Sequence, residues 1–174
     1  MLDLNTNSET GFFEIIRKEQ KPVRPDFSIL LMNADTLIKH GEYSMAMPLL
    51  FEVLKADSWH LGALIRLASI FSSQNEFAKE IQVREAISKA NYHFNSLKDL
   101  ADAYYKCSND QKALEKYYEA LSIIDGEYTG LFDVYKNIGN ILVRVSDFDG
   151  ALENYNKAFA INPNSDTLLV NLGK

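Results

Sequence analysis

The sequence predicts an all-α fold: a right-handed superhelical solenoid of antiparallel helix pairs, about four of them plus a truncated fifth. Three observations carry this. The segments ALEKYYEALSIID (113–125) and ALENYNKAFAINP (151–163) are identical at Ala113/Ala151, Leu114/Leu152, Glu115/Glu153, Tyr117/Tyr155, Ala120/Ala158 and Ile123/Ile161, and MAMPLLFEVLKAD from Met45 is a weaker third copy. Self-similarity of this kind marks stacked supersecondary units. Short polar turns recur at Gly41, Asn75, Ser108 and Ser146, separated by 34, 33 and 38 positions. No proline lies between Pro48 and Pro163, so long helices are allowed there, and 8 Gly with 4 Pro are scarce for a fold rich in β-turns.

Composition narrows the function. With 47% hydrophobic and 24% charged residues, 174 residues can build a sizeable core. A net charge of −6, with 18 dispersed basic residues, argues against nucleic acid as the partner. No apolar run approaches the ~20 residues of a membrane helix, because Arg66 splits the best candidate and Pro48 interrupts another. The start, MLDLNTNSETGFF, carries two acids before any base and no signal-peptide core. A single cysteine, Cys107, excludes an internal disulfide framework and an all-cysteine metal site. A soluble, cytoplasmic protein is expected.

Residues 1–26 stand apart from the repeats. Within GFFEIIRKEQ (11–20), Phe12, Phe13, Ile15 and Ile16 form one broad stripe, as on a short amphipathic helix that Pro22 and Pro25 would end. This segment is expected either to cap the open apolar edge of the first pair or to meet another protein. From residue 27 onward the apolar residues of the first helices recur at i, i+3, i+7, as in Leu64, Leu67 and Phe71. Small residues at Ala34, Ala68, Ala101 and Gly139 let two backbones come close. Ala46, Ala113 and Ala151 do the same on the second helices, where Tyr117 and Tyr155 fill the next layer. One pair cannot bury both its faces, so neighbours must stack.

Two places break the pattern, and the chain closes on a partial copy. Glu80 and Arg84 fall where a small and a large apolar residue are expected. They are read as an i, i+4 ion pair on the helix surface, with a weak joint or lateral contact surface as the alternative. DGEYTGL (125–131) adds four residues, and Gly126 and Gly130 mark it as a spacer loop. DTLLVNLGK (166–174) restates the start of a first helix, Leu169, Leu172 and Gly173 matching Tyr135, Ile138 and Gly139. It is expected to begin a further unit of a longer protein, and an apolar end left exposed could pair two copies as a homodimer.

These residues resemble the tetratricopeptide repeat family, whose unit is two antiparallel helices in about 34 residues. The resemblance covers roughly 27–174, with units at 27–60, 61–93, 94–131 and 132–165 and a partial unit at 166–174. Unit four matches best, at Tyr135, Ile138, Gly139, Leu142, Phe148, Ala151, Tyr155, Ala158 and Pro163. Unit three matches at Leu97, Leu100, Ala101, Tyr104, Ala113, Tyr117 and Ala120. Unit one matches at Leu30, Ala34, Leu37, Gly41, Tyr43, Ala46 and Leu50, but Asn33 replaces a large apolar residue.

The chain carries no pattern for catalysis, a cofactor or a metal. His40, His60 and His93 lie near inter-helix turns without metal-ligand spacing, and are expected to be turn or helix-end polar residues. Cys107 has no positioned base. Phosphate-binding glycine loops and the G-x-S-x-G elbow are absent. Asp99 and Asp102 read as solvated acids. Of Tyr104–Tyr105 and Tyr117–Tyr118, only Tyr105 is expected to face outward.

The resemblance does imply a binding surface. In this family the first helices line a concave face, with their second, fifth, ninth, twelfth and thirteenth positions turned into it. Here those positions hold Leu31, Asp35, Ile38 and Lys39, then Ile65, Ser69, Ser72 and Ser73. Lys98, Asp102, Tyr105 and Lys106 follow, and finally Lys136, Asn140, Val143 and Arg144. Lys98, Tyr105, Lys106, Lys136, Asn140 and Arg144 are the expected peptide contacts, suited to a partner segment bearing acidic groups. Lys136, Asn140 and Asn171 also match the first part of the carboxylate clamp of chaperone-binding members. The implied function is a non-enzymatic scaffold or adaptor for a partner protein. The alternatives are a regulatory or substrate-docking part of a larger enzyme, and a self-assembling scaffold.

Overall fold

In a computed structural model of the chain, residues 25–124, 126 and 128–171 are described, with side chains as far as Leu168. The expected N-terminal amphipathic helix, and the matches at Leu172 and Gly173 and at the side chains of Leu169 and Asn171, lie outside these residues. The described residues form nine α-helices and no strand. They pair in chain order: α1 (Ser28–Lys39) with α2 (Tyr43–Ala56), α3 (Leu61–Ser73) with α4 (Phe77–Ala90), α5 (Phe94–Lys106) with α6 (Asp110–Ser122), and α7 (Leu131–Arg144) with α8 (Phe148–Ile161). A short α9 (Asp166–Asn171) follows. None of the described helices is long and apolar enough to cross a membrane.

The four turn residues of the sequence each break a helix in the same way. Gly41, Asn75, Ser108 and Ser146 adopt left-handed backbone, with φ of 76°, 58°, 59° and 65°. The next residue in each turn then donates its N–H five residues back: Glu42 to Leu37, Glu76 to Phe71, Asn109 to Tyr104 and Asp147 to Leu142, each at 2.9 Å. This satisfies carbonyls that the helix end would orphan. Restarting helices are capped by side chains: His60 Nδ1 accepts from the Ala63 N–H at 3.2 Å, Asn109 from Lys112 at 3.4 Å, and Asp147 from Gly150 at 3.0 Å. His93 accepts from Asn95 at 3.3 Å, and His40 ends α1. All three histidines are therefore helix-end residues.

The small residues sit where helices come closest. Ala34, Ala46, Ala68, Ala101 and Ala113 are 0% exposed, and Ala151 is 2% exposed. Gly139 goes furthest: a Cβ there would lie 2.5 Å from Cε1 of Tyr155. Around these contacts the apolar core falls into separate clusters. The largest joins α5, α6, α7 and α8 with Leu168, a second joins α1, α2 and α3, and a small third holds Leu64, Ala68 and Ile87.

Between the large clusters lies a polar seam that corrects one expectation. Arg84 Nε does donate to Glu80 Oε1, at 2.7 Å, but the pair is not on the surface: Glu80 is 0% exposed. Arg84 also reaches across to Asp99 Oδ2 on α5, at 3.1 Å. A further correction concerns Tyr105 and Tyr118: Tyr118 is 48% exposed, whereas Tyr105 is half-buried against the core.

Two substitutions should move stability in opposite directions. Ser108→Gly combined with Ser146→Gly removes two left-handed non-glycine residues, and should raise the urea midpoint by the equivalent of about 1–2 kcal/mol. Gly139→Ala should lower it by about 1–3 kcal/mol through overpacking against Tyr155, despite alanine's better helix propensity.

Candidate binding groove

The first helices α1, α3, α5 and α7 lie side by side, tied by bonds between equivalent parts of consecutive pairs. Arg66 on α3 grips Asp35 on α1 through Nε and Nη2, both at 2.6 Å. Lys106 on α5 donates to Ser72 Oγ on α3 at 2.7 Å. Asn140 on α7 donates to the Tyr105 hydroxyl on α5 at 3.2 Å, and Asn137 to Asp102 at 3.4 Å. Arg144 on α7 also reaches back to Asp110 at the start of the second helix α6, with Nε and Nη2 at 2.9 and 2.5 Å from its carboxylate. These links bridge 31 to 35 residues, about one repeat each. They join the first helices into the candidate inner face.

The second helices reach this face from behind. The Tyr155 hydroxyl donates to Asn140 Oδ1 at 2.9 Å, and the Tyr117 hydroxyl to Asp102 Oδ1 at 2.5 Å. Asn137 in turn donates to the Tyr117 hydroxyl at 3.0 Å. Both rings are core residues, 5% and 0% exposed. The same side chains therefore fill the core and orient the polar face. Burial, and then the neighbouring Asp102 charge, push the Tyr117 phenol far above its ordinary range.

The six expected contact residues lie along these first helices, and each already holds a partner. Lys98 pairs with Asp102 at 2.7 Å. Burial alone would lower its ammonium, but the Asp102 hydrogen bond and the charges of Asp102, Asp99 and Asp133 outweigh that and raise it. Lys136 pairs with Asp133 at 2.7 Å and sits over the Phe132 ring. Tyr105 lies under the Arg144 guanidinium, 4.8 Å from carbon to ring centroid. The Asp110 hydrogen bond raises the Arg144 pKa further. Lys106 is the most loosely held, 43% exposed, with Ser72 at 2.7 Å and Glu80 Oε1 at 3.6 Å.

Three features escaped the sequence. Asp99 and Asp102 are ion-pair partners rather than solvated acids, Asp99 with Arg84 on α4 and Asp102 with Lys98; only the i, i+4 spacing of Lys98 and Asp102 could have suggested this. Asn137 joins the network from a position outside the expected set. The loop residues Tyr128 and Gly130 do more than space two pairs. Tyr128 packs on Phe94 with ring centroids 4.9 Å apart, and a Cβ at Gly130 would lie 2.8 Å from Cε of Lys98. Glycine at a φ of 97° is what lets the chain come this close to Lys98.

Comparison with known proteins agrees with the fold of helix pairs. The tetratricopeptide repeat family profile matches residues 132–165. A MamA structure from Desulfovibrio magneticus RS-1 superposes with a TM-score of 0.68 at 22% identity, over 81% of this chain and 78% of that one. MamA AMB-1 gives 0.68 at 16% identity, over 93% and 89%. PilF of Pseudomonas aeruginosa gives 0.68 at 17% identity, over 82% and 64%. At these identities the likeness is one of fold. No curated protein sequence matches the chain.

The buried phenols make alkaline pH a probe of this arrangement. Burial and the hydrogen bond to Glu85 push Tyr104 up to about 12, whereas a phenol in the unfolded chain titrates near ~10. Such a group stabilises fully below the unfolded value, and that stability is lost as pH rises through the folded value. Urea midpoints should therefore fall between about pH 10 and 12, and Tyr104→Phe should shrink the fall. An equal fall in the variant would show that Tyr104 has no part in it.

Proposed function

From a chain that carries a tetratricopeptide repeat at 132–165 on a solenoid of helix pairs, we propose a non-enzymatic, cytoplasmic scaffold that binds a segment of a partner protein along the inner face of its first helices. The observation that carries this reading is the cross-pair ladder ending in Tyr105, Asn140 and Tyr155. It holds polar groups in fixed positions before any ligand arrives, which reduces the ordering cost of binding. Lys98, Tyr105, Lys106, Lys136, Asn140 and Arg144 are its contact residues, and the partner segment bears acidic groups.

An incoming carboxylate exchanges one ion partner for another at Lys98 and Lys136, because Asp102 and Asp133 already occupy them. Affinity is therefore modest and falls as salt rises. Lysine-to-glutamate reversal at both Lys98 and Lys136 should weaken binding of the captured partner at least tenfold, about 1.4 kcal/mol, with helicity retained. Capture from lysate identifies the partner, and titration with that purified partner measures the loss. Unchanged affinity at unchanged helicity would remove the groove assignment.

A second reading, self-assembly, rests on α8. Leu152 is 51% exposed and Phe148 65%, whereas the equivalent Ile81 and Leu114 pack against the large core cluster. Two copies pairing over this face would bury it. Sedimentation across a concentration series should then show a dimer that Leu152→Glu dissociates, and a monomer at every concentration rejects the reading.

A further inference from the structure

One register position of the second helices holds Leu50, Arg84, Tyr117 and Tyr155, and the position four residues earlier holds Ala46, Glu80, Ala113 and Ala151. In the third and fourth pairs the tyrosine ring fills the core and its hydroxyl ends on the inner face. Arg84 takes the same path with a guanidinium. Its Nε donates to Glu80 and its Nη1 to Asp99, which leaves the second Nη1 hydrogen and both Nη2 hydrogens as further donors. The side chain is 17% exposed. It lines two adjoining depressions of the inner face, of about 240 and 310 Å³. Lys98 and Lys106 line the larger one with it.

Glu80 has no packing reason to be where it is. Alanine fills the position in the other three pairs. A fully buried carboxylate carries a desolvation penalty that its ion pair offsets only in part, and Glu80 Oε2 has no hydrogen-bond partner at all. Its direct contacts are with cations of the inner face: Arg84 at 2.7 Å and Lys106 at 3.6 Å. Glu80 thus holds the guanidinium plane in one orientation, which a tyrosine or leucine would not require.

We propose that Arg84, positioned by the buried carboxylate of Glu80, is a further binding residue of the inner face, and that its guanidinium receives a carboxylate of the partner segment. This rests on the groove reading above. The chemistry is that of a planar donor fork, which meets carboxylate oxygens with directed hydrogen bonds where an ammonium offers only a point charge. Asp99 and Asp102 hold Arg84 and Lys98 in place from the sides. The second pair gives up apolar packing for this, so the polar seam is a binding feature that lowers stability.

The double variant Glu80→Ala, Arg84→Tyr rebuilds in the second pair the residues of the third. It should keep its helicity and unfold at a urea concentration equal to or above that of the wild type. The binding probe is an array of random 12-residue peptides, from which wild-type binders are taken and remade with each Asp or Glu changed to its amide. For the wild type, one such change per peptide should weaken binding at least tenfold. For the double variant, the acid and amide forms should bind alike at one position per peptide, with Arg84→Lys falling between, while positions received by Lys98 or Lys136 still discriminate in both proteins.

A double variant that still discriminates acid from amide as the wild type does would overturn the proposal and leave the groove reading standing. A double variant that loses stability along with binding would make Glu80 and Arg84 packing elements, and overturns it too. If no wild-type binder is weakened by Lys98→Glu with Lys136→Glu, the groove reading falls and takes this proposal with it.

Discussion

The solenoid depends on a close contact repeated within its helix pairs: a large side chain of the second helix laid on a small residue of the first. Tyr155 against Gly139 leaves no room for a methyl group. That approach sets the distance between the two helices. It also decides how far the second-helix side chain projects beyond the core. With the helices this close, the Tyr155 hydroxyl reaches Asn140 and the Tyr117 hydroxyl reaches Asp102 and Asn137. Packing density and groove chemistry are therefore the same constraint seen from two sides.

The electrostatics of the inner face follow from this order. Its cations are held by neighbouring acids, some four residues away on one helix and some a full repeat away on the next. Exposed pairs of this kind add little to stability. Their effect is positional, since each long side chain is kept out of the many rotamers it would otherwise sample. A partner segment meets a surface of fixed charges of both signs, and recognition turns on matching that pattern more than on net charge.

The second pair is the exception, and it shows where sequence reading stops. Glu80 and Arg84 were conspicuous as residues because they broke the small–large register. Their i, i+4 spacing correctly implied an ion pair, yet that spacing is the same whether the pair faces water or a neighbouring helix. The neighbour, α5, decides it: Asp99 completes the pair from across the seam, and Glu80 is enclosed. The apolar core divides at the same place, as a charged seam cannot continue it.

By itself the sequence determined the helix pairs, their turn residues and the small–large register, because each is a local demand. Left-handed backbone at Gly41, Asn75, Ser108 and Ser146, and close approach at Ala101 and Gly139, are legible wherever they occur. Grouping Lys98, Tyr105, Lys136 and Asn140 as contacts of one face came from the family resemblance and not from the periodicity. Only the tertiary structure decided which partner each of them holds, and that Tyr117, Arg84 and Asn137 belong with them. Those pairings depend on how consecutive pairs stack, and a shift of one helical turn between α5 and α7 would change every one of them while leaving each helix's own pattern intact.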